Sequence, residues 1–332
     1  MSESQTPKLA LHKRGELRLD MPLQKGRPAH IAAASGLVRV GDKFFVVADD
    51  ELHLGVFTVD DRCTNGFYAE TPLRLLPGKL PKKTEKRKKD KPDFEVLTLL
   101  PASAEAPFGA LLIMGSGSRD NRNAGILVPL TASGRPHHDQ SLQIDFSALF
   151  AALQCEFSVV NIEGAVVSNT RQSENTPNHL LLLQRGNKGL NKNAIIQLDL
   201  TQLTRELWKG EVTAAALQKI MPYVLGEIDG VTLGFSDATC LPDGRLLALA
   251  VAEDTDSAYA DGATFGSCLC EFDQQIQLQN ILQLDVPVKT EGLTLWSADE
   301  KTLAIVTDAD DPAIAASLYL LNCKGTQLDG LF

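Results

Sequence analysis

Five residues, Ser35, Glu95, Glu163, Ser236 and Glu291, each open one of five similar apolar segments, and together they offer only oxygen atoms. Carboxylates and hydroxyls suit a hard cation. Calcium accepts six to eight oxygens in tolerant geometry, magnesium demands a tighter octahedron, and zinc prefers the histidine and cysteine that this set lacks. If the segments converge on one axis, three carboxylates meet within a few ångströms and cannot all stay ionised unless protons or a cation offset them. Three readings follow: carboxylates held by backbone N–H groups around axial water, a structural calcium, or a calcium that takes part in ligand binding or chemistry.

The elements that would bring these residues together are strands. The segments beginning SGLVRVGDKFFVVADD (Ser35), DFEVLTLL (Asp93), NIEGAVVS (Asn161), GFSDATCLPDGRLLALAVAED (Gly234) and TEGLTLW (Thr290) share one order: an opening polar residue, a strand, a turn, and an apolar strand ending in polar residues. Gly41-Asp42 and Pro242-Asp243-Gly244 are hairpin turns between such runs. The runs FFVVA, ALLIM, HLLLLQ, RLLALAVA and TLAIVT are of strand length and apolar on both faces. The expected fold is therefore all-β, a five-bladed β-propeller in one domain, with six blades as the alternative if residues 208–226 hide a degenerate one. Blades are expected over about 35–80, 92–146, 161–210, 233–286 and 289–322, the last completed by an N-terminal strand in 7–20. Residues 146–155 and 203–220 carry helical spacing and are expected as short insertions.

Second strands of a propeller run back toward the face where inner strands begin, so their polar ends crowd the ring. Arg119, Arg122 and Arg185 lie there and could clamp a phosphate or carboxylate. Asp50, Glu253 and Asp308 lie opposite and could orient water or hold a further metal. The competing reading is that these arginines and carboxylates pair with one another and do no chemistry. GSGSRDNR (115–122) lacks the Gly-Lys-Ser/Thr end of a nucleotide-cradling loop, and no G-x-S-x-G elbow supports an activated serine.

The net charge of −10 disfavours nucleic acid as a general partner, and no apolar run reaches membrane-spanning length. The expectation is a soluble, cytoplasmic protein with no secretory signal, whose partner is an anionic small molecule. One segment breaks the acidic trend: Lys79–Pro92, KLPKKTEKRKKDKP, reads as a solvated basic loop between the first two blades. Cys268 and Cys270, spaced C-x-C, read as buried packing thiols.

The S-E-E-S-E order, the phrase GFS (234–236) and the phrase KTEGL (289–293) resemble the five-bladed calcium-activated nucleotidases, the apyrases. That resemblance touches all five repeats through a few residues in each. It implies one axial calcium held by Ser35, Glu95, Glu163, Ser236 and Glu291, and hydrolysis of nucleoside di- and triphosphates. The basic segment and the GSGSRDNR loop have no counterpart in that family. The chain equally resembles the broad group of bacterial propellers near phytase-like and esterase-like proteins.

Overall fold

Apolar side chains alternate between two neighbouring cores along every second strand, which explains why those strands are apolar throughout. Phe44, Val46 and Ala48 enter one core while Phe45 and Val47 enter the next; Leu180 and Leu182 part in the same way from Leu181 and Leu183. A strand sandwiched between two others needs both faces apolar. A computed structural model describes residues 8–168, 179–186, 192–255, 262–297 and 301–331, and in it five sheets form a five-bladed β-propeller.

The inner strands are Ala34–Val40, Phe94–Leu100, Ile162–Ser168, Val231–Cys240 and Lys289–Ser297. Each contacts the next, and the fifth contacts the first, so the circle closes. Five hydrophobic cores lie between the five pairs of adjacent blades. Cys268 and Cys270 are buried in the core between blades three and four. The fifth sheet takes its outer strand from His12–Glu16, which pairs antiparallel with Ser317–Asn322. The N-terminal strand therefore closes the ring, as expected of a fold that must protect its sheet edges.

Three local expectations differ from the structure. Residues 203–220 are helical only in their first part: α3 is Leu200–Leu207, after α1 (Thr84–Asp90) and α2 (Ser147–Leu153), and Leu217–Tyr223 is the outer strand of blade three. No sixth blade lies in 208–226; that stretch completes the third sheet, beyond the expected limit at residue 210. The basic segment is not a solvated loop either, because seven of its residues form α1, with Arg87 buried.

Each inner strand carries a bulge at the same place. The register skips Ser35, Glu95, Glu163, Ser236 and Glu291 in turn, so every ring residue is the extra one of a two-against-one pairing. A bulge re-aims the side chain of the residue it displaces. In three blades the next residue is glycine, and there the neighbouring backbone comes close. A Cβ on Gly164 would sit 2.7 Å from Cα of Asp237, and one on Gly36 or Gly292 would sit 2.9 Å from the amide nitrogen of Leu97 or Leu37. Gly164→Ala is expected to cost about 1–3 kcal/mol through overpacking, whereas Gly330→Ala, with nothing within 4 Å, should change little. Urea midpoints of the two variants check this.

Candidate metal centre on the propeller axis

The bulges bring all five ring residues to one mouth of the axis. Ser35, Glu163, Ser236 and Glu291 are buried, at 4%, 8%, 0% and 4% exposure, and Glu95 is half-buried. The carboxylates feel one another. Burial pushes Glu95 well above the usual carboxylate range, with Glu163 and Asp93 adding to the effect. Burial likewise raises Glu163, against the pull of Arg185 and Lys289. Glu291 is raised to about 7, by burial first and then by Glu163, with Lys289 opposing.

The ring −2 positions supply a second layer on the same strands. Asn161 donates from Nδ2 to Oε1 of Glu163, Lys289 Nζ lies 3.4 Å from Oε1 of Glu291, and Asp93 precedes Glu95. Arg185, at the end of a second strand, bridges Glu163 (3.4 Å) and Glu253 (2.6 Å). Lys289 also reaches Glu253 (3.8 Å), Asp308 (3.7 Å) and Asp310 (3.0 Å). Lys91 Nζ contacts Asp49 and lies 2.9 Å from Asp93, and Arg122 lies 2.7 Å from Asp93. Asp49, Asp93 and Glu95 present oxygens within 4.8 Å of one another, a geometry that fits a metal ion.

Among the residues named, eight carboxylates (Asp49, Asp93, Glu95, Glu163, Glu253, Glu291, Asp308 and Asp310) thus stand against four cations (Lys91, Arg122, Arg185 and Lys289). The carboxyls outnumber the cations at low solvation, and protons or a cation must offset the excess. One further observation supports a cation at this place. Ser236 Oγ is buried and has no hydrogen-bond partner among the described residues, whereas Ser35 Oγ donates to the carbonyl of Ala33 at 3.3 Å. A calcium ion fits an all-oxygen set with excess negative charge and an unused buried hydroxyl.

The other residues singled out from sequence are placed as follows. Arg122 and Arg185 are buried and paired with carboxylates, Arg122 with Asp93 and Arg185 with Glu163 and Glu253, and Arg122 also donates to the carbonyl of Lys88 and to Ser118 Oγ. Arg119 is half-buried and opens the short 3-10 turn Asp120–Arg122. Asp50 sits between Arg27 (2.7 Å) and Arg87 (2.8 Å). Glu253 accepts from Arg185 and from the Gly262 amide. Asp308 accepts the Asp310 amide, and burial holds it well above its ordinary range despite Lys289. A small cleft of about 50 Å³ opens beside the ring, with Asp49, Asp50, Arg87, Lys91, Asp308 and Asp310 in its walls. Sequence reasoning passed over Asp49, Lys91, Asp93 and Lys289 as members of the centre. The signal available was position: Asp93 and Lys289 each stand two residues before a ring glutamate.

Fold and site define a five-bladed β-propeller with a carboxylate-lined axial mouth. The chain belongs to a family of unknown function, DUF6929, whose model matches residues 30–322. No curated protein matches it in sequence. Among solved structures it is similar to a mannose phosphorylase from Leishmania mexicana in complex with phosphate (11% identity, 96% of this chain and 89% of that one, TM-score 0.47). It is similar to a putative glycoside hydrolase from Parabacteroides distasonis (13% identity, 96% and 94%, TM-score 0.45). It is also similar to regucalcin, a calcium-binding protein, from Agrobacterium tumefaciens (11% identity, 94% of each chain, TM-score 0.37). At these values no activity transfers. No described helix is long and apolar enough to cross a membrane.

The raised carboxyls fix a direction of pH dependence for metal-free protein. Asp49 lies at about 6, Glu291 at about 7 and Glu51 at about 8, each raised above its ordinary value first by burial. A group with a raised folded-state pKa contributes stability that is complete below its unfolded pKa and is lost as pH rises through the folded one. The melting temperature in EDTA should therefore fall between about pH 5 and pH 8, which thermal scans across that range check.

Proposed function

We propose that the protein binds one calcium ion on the propeller axis through Ser35, Glu95, Glu163, Ser236 and Glu291, and that the ion fixes the five blades to one another. The observation that carries this reading is the common bulge: five blades expose one oxygen-bearing residue each at the same register, and three of the five are carboxylates. The uncompensated charge and the unused Ser236 hydroxyl support it. The apyrase resemblance of the same five residues supports the same ion.

A second reading, metal-assisted hydrolysis of a phosphorylated or other anionic small molecule, is favoured by one feature. Arg185 and Lys289 pair with ring carboxylates that a cation would engage. A cation on Glu163 and Glu291 would weaken those pairs and leave both basic groups available to an anion beside the metal. In that reading the ion polarises a phosphoryl oxygen, Arg185 steadies developing charge, with Arg119 or Arg122 beside it, and Asp50, Glu253 or Asp308 orients water. Against it stands the engagement of these groups in other ion pairs: Arg122 with Asp93, Arg185 with Glu253, and Asp50 with Arg27 and Arg87.

Calorimetric titration of calcium into EDTA-stripped protein separates the readings when phosphate release from ADP and GDP is assayed on the same samples. Wild type is expected to bind one ion per chain, and Glu163→Gln to bind about tenfold or more weakly. Calcium-dependent phosphate release would establish the second reading over the first. Absence of calcium binding would overturn both.

A further inference from the structure

Helix α1 (Thr84–Asp90) ought not to exist on local grounds. Seven residues are too few for a stable isolated helix. Its N-cap, Lys83, makes no side-chain capping bond and places a positive charge at the positive end of the helix dipole. Lys83, Lys86 and Lys89 follow one another at three-residue spacing, where like charges repel. All three are exposed, as are Lys79 and Lys82.

What holds the helix is its inward side. Arg87 is 5% exposed and binds Asp50 at 2.8 Å and the carbonyl of Lys82 at 3.1 Å. Arg122 donates to the carbonyl of Lys88 at 2.9 Å and Asn121 to that of Lys89 at 3.1 Å, while Lys91 anchors the end of the helix on Asp49 and Asp93. Each ion pair taken from water costs desolvation. A solvated linker needs none of them. Their effect is to present a row of lysines, about 10 Å long at 1.5 Å per residue, at a fixed place beside the axial mouth. Residues 79–91 carry a net +6 in a chain of −10, so the remainder carries −16.

We propose that the outer face of α1 is a docking surface for a short acidic segment of a partner protein, carrying clustered carboxylates or phosphorylated side chains. The surroundings select that chemistry among polyanions. No aromatic residue lies between Tyr68 and Phe94, so the basic segment itself supplies no platform for stacking the bases of a single strand. The helix, TEKRKKD, has no apolar side chain to enter a bilayer. A nucleic-acid duplex continues well past 10 Å and would lie against the acidic body of the chain. A compact run of negative charge meets the lysines alone, and like-charge repulsion along the row is relieved when it binds.

The proposal is independent of calcium, and its test is run in EDTA. Fluorescence anisotropy of a labelled hexaglutamate peptide at low ionic strength is measured for wild type, for Lys83→Gln/Lys86→Gln/Lys89→Gln, and for a charge-matched control, Lys209→Gln/Lys219→Gln/Lys324→Gln. These lysines are exposed, so the variants should fold. The expected result is binding that weakens about tenfold or more in the α1 variant and stays near wild type in the control. Equal weakening in both variants, or no binding by wild type, would overturn the proposal. So would tighter binding of a single-stranded oligonucleotide or of phosphatidylserine vesicles than of the peptide.

Discussion

The displaced residue at the start of every inner strand is the constraint on which the rest depends. Five strands that begin at one axis have room there for only one side chain each, and a bulge in each turns that side chain inward while leaving the sheet paired beyond it. The same region joins the blades. The Asp93 amide donates to the carbonyl of Asp49, that of Ile162 to Ser116, Asn193 bridges Leu233 and Phe235, Ser267 binds the carbonyl of Val288, and Ala33 pairs with Asp308. In most of these the end of a second strand meets the beginning of the next inner strand. Asp237, beside Ser236, adds a further tie by accepting the amide of Leu293. Closure of the ring and placement of the oxygens are therefore one geometric fact.

That geometry creates an electrostatic problem which the sequence answers only in part. Buried carboxylates are tolerated when paired, and Lys91, Arg122, Arg185 and Lys289 pair with several of them. Burial alone would lower the pKa of Lys289, yet Glu291, Asp308 and Glu253 hold it well above its ordinary value, which fixes it as a cation. The least compensated carboxyl is Glu95, which burial and its acidic neighbours hold toward the protonated form. That carboxylate makes no hydrogen bond or ion pair to a described residue, while its neighbours Asp93 and Glu163 are both engaged. An ion placed there replaces protons that the carboxyls would otherwise hold, so its affinity must rise with pH.

The fold was legible because repetition is legible. FFVVA, ALLIM and HLLLLQ are apolar on both faces for a reason that operates five times, and the ring residues could be aligned because each lies at the start of the strand that precedes such a run. What misled was local likeness to helix. Leu217–Tyr223 has spacing that suits a helix, yet it pairs with Asn193–Asp199 and leaves Val212 and Ala216 in the core with α2 and α3. Blade edges are settled by partners distant in sequence. The outermost strand of a blade has little apolar signature to announce it.

Charge was the least legible property. A run of eight lysines and arginines reads as a solvated loop, because nothing within it marks two members for burial. Arg87 is buried because Asp50, which it meets, lies 37 residues earlier, and Lys91 because Asp49 lies 42 residues earlier. Both aspartates close the second strand of blade one, and Asp93, the other partner of Lys91, opens the inner strand of blade two. The basic helix is thereby fastened to the seam between two blades, beside a ring whose carboxylates already exceed their cations. Lys91 belongs to both systems. Its ammonium ends the helix segment and neutralises the axial cluster at once, so the position of α1 and the charge of the axis are set by the same contact.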